Sequence, residues 1–202
     1  MLLGVTTSSG KLPASWPKKN EHMGCYGYFG LDSYESRKVE YVEGEVIGYR
    51  WFNEFWGQEK EVRFPFGYVL SYTSFDISGF KIEGYTSNDP REKVKVTAQV
   101  KNTGLVEGSE TVQIYLQPPV VKGVERPIKM LVGFAKVELQ TGEEKVAEVE
   151  FTRNGAAYWD ERKNCWAVSE GGYKVLVAMS SSAEDVKGML EMFVDEEFSF
   201  GP

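Results

Sequence analysis

The second half of the chain repeats a two-residue hydrophobic period, and this feature constrains the fold more than any other. Its first instance is a run in which Val94, Val96, Ala98 and Val100 alternate with polar residues. Such alternation predicts a strand with one buried face. The pattern returns in residues 111–117, 128–139, 147–151, 173–177 and 190–194. Six or seven short strands separated by turns predict an all-β fold, an immunoglobulin-like β-sandwich.

Turn and breaker residues support these strand boundaries. Asn102-Thr103-Gly104 follows the first strand, and Pro118-Pro119 ends the second. Gly133 lies inside the third segment and predicts a bulge or bend. The acidic end of the chain, Asp195 to Glu197, is typical of a solvated tail.

The first 75 residues are built differently and form an irregular, aromatic-rich N-terminal extension. They hold sixteen of the 28 aromatic residues. Between Tyr41 and Phe75 the rings are interspersed with glycines and Pro65, which excludes a single regular helix. We predict an ordered irregular connection there, and one strand between Lys38 and Ile47 at its start.

The composition and net charge of the chain limit the kinds of partner that it can bind. The chain has 202 residues, 42 % of them hydrophobic and 26 % charged, which is typical of a globular protein with one or two domains. The net charge is −7 and no basic block occurs. We therefore expect neither nucleic acid nor a membrane as a partner.

The sequence also bears on the cellular compartment. The first ten residues have no basic segment and only a very short apolar run, unlike a secretory signal. Cys25 and Cys165 lie far apart in the sequence, and we expect them to be free thiols. An intracellular location is the expectation that follows.

Two motifs in the extension carry a family resemblance. Residues 41–50 have the pattern Tyr-x-Glu-Gly-x-x-x-Gly-Tyr-Arg, and residues 64–75 have Phe-Pro-Phe-Gly-Tyr-x-Leu-Ser-Tyr-Thr-x-Phe. Together they resemble the C-terminal portion of family 3 glycoside hydrolases, the β-glucosidase family. Val69 stands where the family usually has glycine. If that position required a positive φ, a β-branched residue would be strained there.

The resemblance extends over nearly the whole chain and implies a domain division. Residues 9–17 resemble the end of the family's α/β-sandwich domain. The second half resembles its fibronectin type III-like domain, in the motifs at 102–104, 108–115, 131–137, 142–143 and 171–173. We therefore predict that residues 1–75 are the remnant of the α/β-sandwich domain with a linker. Residues 76–202 are predicted to form the fibronectin type III-like domain.

The resemblance supplies no catalytic residue. A retaining glycosidase uses two carboxyl groups about 5–5.5 Å apart. In the family these belong to the N-terminal barrel and to an earlier part of the α/β-sandwich domain, and neither motif has a counterpart in this sequence. No metal or cofactor is expected either, since the chain has one histidine, two cysteines and no phosphate loop. His22 is expected to be an exposed loop residue.

The aromatic residues of the extension suggest a ligand or partner surface. So many rings in a short irregular segment cannot all be buried within it, and a large exposed apolar patch usually marks a binding site. We expect a second copy of the chain, another protein, a β-glucoside or an apolar small molecule to cover it. The candidate residues are Trp16, Tyr41, Glu43, Arg50, Trp51 and Trp56.

Three functional hypotheses remain open from the sequence. The first is a non-catalytic, stand-alone fragment of a β-glucosidase-like protein that serves stability, assembly or ligand binding. The second is a repurposed small-molecule enzyme, which would need a closed cavity of about 300–1,000 Å³ between Trp16, Trp51, Trp56 and the sandwich. The third is an incomplete piece of a full-length β-glucosidase.

Overall fold

The computed structural model of the chain describes residues 7–28, 41–56, 58–84 and 89–201, without the side chains of residues 56, 58 and 59. In the extension the strands and helical turns are β1 (Trp16–Pro17), Asn20–His22, Tyr49–Trp51, Phe52–Trp56, Gln58–Glu61 and β2 (Val62–Phe64). In the second half they are β3 (Phe75–Glu83), β4 (Lys93–Asn102), β5 (Gly108–Gln117), β6 (Met130–Leu139), β7 (Glu144–Thr152), Arg153–Ala156, β8 (Tyr158–Asp160), β9 (Cys165–Val168), β10 (Gly171–Ala178), β11 (Val186–Val194) and β12 (Phe198–Phe200).

Two antiparallel sheets form the sandwich. One has the strand order β3-β4-β7 and the other β11-β10-β5-β6. The residues that the two-residue period places on one face point into the space between the sheets, where side chains such as Val96, Ile114 and Val175 are fully buried. This confirms the predicted all-β, immunoglobulin-like sandwich, because each sheet hides its apolar face against the other.

The strands predicted in the second half of the chain are present, whereas β3 and the short strands β8, β9 and β12 were not predicted. β3 alternates like the others, but its pairing with β4 shifts register between Ser78 and Lys81, at the positive-φ residue Gly79. This bulge interrupts the two-residue period and hides the pattern. The bulge expected at Gly133 is confirmed, because the β5–β6 register shifts beside it.

Two predictions at the chain's irregular ends were wrong. The strand expected between Lys38 and Ile47 is not formed by residues 41–47, where the chain turns; Gly44 within this segment and Gly48 just after it take positive φ values. Residues 38–40 lie outside the described part. The acidic segment Asp195–Glu197 is exposed to solvent, as predicted, but it is not a tail. It connects β11 to β12, and β12 pairs with β9.

The extension folds back on itself as two antiparallel segments, residues 7–18 and 61–72, which we call the clasp. Backbone bonds join Leu12 to Gly67 and Tyr68, and β1 pairs with β2. Farther along, the amide of Tyr72 donates to the Thr7 hydroxyl. The predicted ordered connection is thus present, with short helical turns between residues 49 and 61 that the sequence did not indicate.

The clasp and the turn at Tyr49 cover the outer face of β5. Val112, Ile114 and Leu116 face the core, yet Gln113 and Tyr115 on the opposite face are buried as well. The alternating pattern predicts one buried face, and the structure shows two. The difference arises because the extension packs where solvent was expected.

Candidate functional site

Trp16 lies at the open edge of the clasp. Its ring is 56 % exposed and meets Phe64 edge to face, with ring centroids 6.4 Å apart. The indole lines an open groove of about 370 Å³ whose other lining residues are Ser8, Gly10, Leu12, Phe64, Tyr68, Val69 and Leu70. The lining supplies apolar surface and hydroxyl groups and contains no carboxylate.

Val69 at this groove shows no backbone strain. Among the described residues, Asn164 is the one non-glycine residue with a positive φ. The substitution of the family's glycine therefore leaves an ordinary backbone conformation. The required glycine is instead Gly67, with φ 80°, where a Cβ would lie 2.3 Å from Nε2 of Gln113.

Trp51 and Glu43 belong to a second cluster. The Trp51 ring packs on Phe55 with centroids 4.4 Å apart, and its Nε1 donates to the backbone oxygen of His22 at 3.3 Å. Gly24 lies so close that a Cβ there would be 2.7 Å from Trp51 and 2.9 Å from Glu43. The Glu43 side chain is thus half-buried against this contact.

The other candidates do not complete one pocket. Tyr41 is 80 % exposed, and the Arg50 guanidinium donates to the backbone oxygen of Glu45 at 3.4 Å. The side chain of Trp56 lies outside the described residues. The structure therefore places Trp16 at the groove and Trp51 with Glu43 in the second cluster, and Trp51 does not line the groove.

His22 is not the exposed loop residue that the sequence suggested. Its Nδ1 lies 2.8 Å from Oε2 of Glu61, and both side chains are largely covered. The pair joins the turn at residues 20–22 to the helical turn before β2. His22 therefore fixes the local fold of the extension.

Several apolar side chains of the extension remain exposed after the clasp has closed. Phe55, Leu70 and Tyr72 are each more than half exposed, in addition to Trp16 and Tyr41. Each ring left in water forgoes the favourable free energy that burial provides. The extension thus has one side packed on the sandwich and exposed rings elsewhere.

A buried polar network attaches the clasp to the sandwich. The Lys11 ammonium lies 2.5 Å from Oε1 of Glu110 and donates to the backbone oxygen of Met179 at 3.0 Å. The Gln113 amide donates to the oxygens of Met179 and Gly67, at 2.9 and 3.4 Å. These bonds fix the clasp against both β5 and the loop that follows β10.

Tyr49 fixes the helical turn to the same face. Its ring stacks on Phe66 at 5.0 Å and meets Tyr115 edge to face at 5.9 Å. Its hydroxyl accepts a hydrogen bond from the Leu131 amide at 2.9 Å. Burial raises the pKa of the Tyr115 phenol well above its usual value, so this group stays protonated and donates to Gln113 at 2.6 Å.

Asn102 fixes the start of the sandwich. Its Oδ1 accepts from the Thr73 hydroxyl at 2.7 Å and from the Gly104 amide at 3.0 Å, and its Nδ2 donates to the oxygens of Val106 and Leu139. A Cβ at Gly104 would lie 2.1 Å from the Thr73 hydroxyl. The Asn-Thr-Gly motif therefore holds the linker in place as well as forming a turn.

The sequence did not predict this contact between the extension and the sandwich. Polar residues such as Gln113 sit at strand positions that usually face solvent. Nothing in the sequence marked Gln113 or Lys129, and Lys11 was covered only by the resemblance at residues 9–17. Among residues 7–28, 41–56, 58–84 and 89–201, no group of acidic, histidine or cysteine side chains is arranged to hold a metal. In the same ranges, no helix is long and apolar enough to span a bilayer.

Comparison with known proteins shows what the chain is similar to. Residues 110–181 match the fibronectin type III-like domain. The chain is 37 % identical over 193 residues to probable beta-glucosidase K of Emericella nidulans, covering 95 % of this chain and 21 % of that protein. It is 39 % identical to beta-glucosidase BoGH3A of Bacteroides ovatus, covering 93 % of this chain and 24 % of that protein.

Solved structures give the same result. The beta-glucosidase of Kluyveromyces marxianus superposes with a TM-score of 0.84 at 34 % identity, over 99 % of this chain and 22 % of that one. A GH3 beta-glucosidase of Bifidobacterium adolescentis gives 0.83 at 32 % identity, over 96 % and 27 %. The chain thus spans about a fifth to a quarter of the length of these relatives. It is homologous to the C-terminal portion of family 3 glycoside hydrolases, the β-glucosidase family, including the fibronectin type III-like domain.

Proposed function

We propose that this chain is a non-catalytic docking module of a β-glucosidase-type protein. Its β-sandwich anchors the extension, and the extension presents aromatic side chains to another protein surface. The observation that carries the proposal is that the extension has two different sides: one packs on the sandwich, and the other exposes aromatic rings. Tyr49 and Phe66 are packed on the sandwich, whereas Trp16, Tyr41 and Phe55 remain more than half exposed.

Rigidity of the extension favours docking over a loose tail. Lys11 and Gln113 hold the clasp against β5 and the loop after β10, and Tyr49 bonds to β6, so the exposed Trp16 of the clasp is presented in a fixed arrangement. A partner that binds such a surface does not have to order it first, which lowers the entropic penalty of association. Stabilisation or assembly of a larger β-glucosidase-type protein is the role that fits this arrangement.

The relatives' hydrolytic activity belongs to proteins four to five times as long as this chain. We propose that this chain contributes support and not the reaction itself. The groove at Trp16 is consistent with that role, because its lining contains no carboxylate. A retaining hydrolase requires two of them facing each other.

A second candidate function is ligand binding at the groove. Its volume of about 370 Å³ lies within the range of small-molecule sites. The exposed indole of Trp16 and the phenol of Tyr68 offer stacking surface and one hydroxyl. A β-glucoside or an apolar small molecule fits this lining.

The test of docking uses two probes. One is the purified chain itself, and the other is the Kluyveromyces marxianus β-glucosidase from which the homologous portion has been deleted. We expect light scattering or calorimetry to detect binding to at least one of them. We also expect Phe55→Ser to weaken that binding, and Phe134→Ser, which changes an exposed ring on β6, to leave it unchanged.

Activity is measured on the same preparations. We expect the isolated chain to show no turnover of an aryl β-glucoside. Turnover that disappears when one carboxylate is replaced would reject the non-catalytic assignment. Absence of binding to both probes would reject docking, and binding of the glucoside that Trp16→Ala abolishes would establish the second candidate instead.

A further inference from the structure

Lys129 is a buried amine at the contact between the extension and the sandwich. Its side chain is 7 % exposed, just before β6. Nζ donates to the backbone oxygen of Ser181 at 2.8 Å and lies 5.2 Å from the centre of the Tyr115 ring. In the part of the chain that the structure describes, no carboxylate forms an ion pair with this amine.

Both neighbours of the amine are themselves held by the extension. The amide of Ser181 donates to the backbone oxygen of Phe66 at 2.8 Å, and the Tyr115 ring is covered by Tyr49. Separation of the extension from β5 would therefore release the loop that holds Ser181 and uncover the Tyr115 ring, the two groups that the amine contacts. Opening of this contact would thus give water a route to the amine.

Each of the other titratable groups around this contact has a hydrogen-bond or ion-pair partner other than Lys129. On β5, Tyr115 donates to Gln113, and Glu110 is paired with Lys11 of the clasp. The hydroxyl of Tyr49, in the helical turn, accepts from a backbone amide of β6. In the loop after β10, the Asp185 carboxylate accepts a hydrogen bond from the Ser180 hydroxyl.

We infer that the contact between the extension and the sandwich opens with uptake of a proton by Lys129. In the closed form the amine is buried and pairs with no carboxylate of the described residues. In the open form it is hydrated and holds its proton as an ordinary lysine does. The attachment of the extension, which carries the exposed rings, thereby depends on pH through the protonation of Lys129.

The direction of the effect follows from the two protonation states. Burial lowers the pKa of Lys129 from 10.5 to about 8 in the closed form. Between these values the closed form holds the neutral amine and the open form the ammonium, so rising pH favours closure. Linkage then predicts that the opening equilibrium falls about tenfold from pH 7 to pH 9.

Above about pH 10 the phenol groups act in the opposite direction. Burial raises the pKa of Tyr115, so an open form with a hydrated phenol would release a proton more readily than the closed form. Rising pH would then favour opening. The window that isolates Lys129 is therefore pH 7 to 9.

Native-state hydrogen exchange of the Ser181 amide tests the inference, because this amide bonds directly to the extension. The opening equilibrium is measured at pH 7 and pH 9, with correction for intrinsic exchange. We expect a decrease of about tenfold in the natural sequence. We expect no pH dependence in Lys129→Met, and the full decrease in Lys136→Met, which removes an exposed amine that also bonds the extension, at Ser9.

An opening equilibrium that does not change between pH 7 and 9, or one whose pH dependence survives Lys129→Met, would overturn the inference. If Lys129→Met fails to fold, the natural protein still decides. The ε-carbon of Lys129 is followed by NMR during a pH titration. A midpoint near 8 supports the inference, and a midpoint at the ordinary lysine value of about 10.5 rejects it.

Discussion

Replacement of Lys11 by methionine tests whether the clasp is held by charge at its attachment to β5. The substitution keeps most of the side-chain volume and removes the ammonium that lies 2.5 Å from Glu110. Glu110 is 2 % exposed and would retain the Thr111 amide as its hydrogen-bond donor. The variant therefore leaves a buried carboxylate without its countercharge.

The expected loss follows from that burial. Removing one partner of a buried ion pair lowers the free energy of unfolding by about 3–5 kcal/mol. For a chain of this size, each kcal/mol lowers Tm by about 2–4 °C, which gives a decrease of about 6–20 °C. Detachment of the clasp sets an upper limit on this loss of unfolding free energy, because Glu110 is then hydrated and its charge is no longer buried.

Urea denaturation of three variants measures this effect. We expect Lys11→Met to show the large loss, and the double variant Lys11→Met/Glu110→Gln to recover most of it, because the glutamine is neutral and still accepts from Thr111. Lys136→Met, at an exposed amine, should change stability by less than about 1 kcal/mol. A loss below about 1 kcal/mol in Lys11→Met, or a double variant no more stable than the single one, would refute the reasoning.

Three further substitutions test other contacts by their effect on the free energy of unfolding in urea. Gly67→Ala should be destabilising by about 1–3 kcal/mol because of its positive φ and close approach to β5, whereas Gly10→Ala, with open space around it, should change stability by less than about 0.5 kcal/mol. Asn102→Ala should lower stability by about 2–4 kcal/mol, since a fully buried amide with four hydrogen bonds is lost, and a loss under about 1 kcal/mol would contradict its role. Tyr49→Phe should lower stability by about 1 kcal/mol by leaving one backbone amide of β6 without its acceptor, and an unchanged value would show that this bond contributes nothing.

The sandwich was predictable because its strands obey one simple rule. Alternation at Val94–Val100 and at the later segments requires one face to be buried, and two such sheets satisfy the requirement together. β3 escaped notice for an equally simple reason. Gly79 inserts one extra residue, so the apolar positions before and after the bulge are out of phase.

The junction could not be predicted from the same pattern. Gln113 and Tyr115 occupy positions that normally face water, and nothing local shows that segments 46 or more residues upstream will cover them. Their burial depends on long-range packing, and so does that of Lys129. Hydrophobic periodicity predicts which face of a strand points into the core. It does not predict whether another segment of the chain covers the opposite face.

The sequence predicted that some aromatic rings of the extension are exposed, but it did not predict which of the candidate residues lie together. Exposure of Trp16 and Tyr41 agrees with the expectation that the extension cannot hide all its rings. The sequence grouped these residues with Trp51 and Glu43, because spacing cannot separate two clusters in an irregular segment. Their contacts show that Trp51 and Glu43 pack locally against Gly24.

Hydroxyl-radical footprinting of the isolated chain, read by mass spectrometry, tests the two-sided extension most directly. The account predicts fast modification of Trp16, Tyr41 and Phe55 and strong protection of Phe52 and Tyr115. Tyr115 modified as fast as Tyr41 would show that the extension does not cover β5. Protection of Trp16, Tyr41 and Phe55 in a monomer would show that the rings are not available to a partner, and either result would contradict the account.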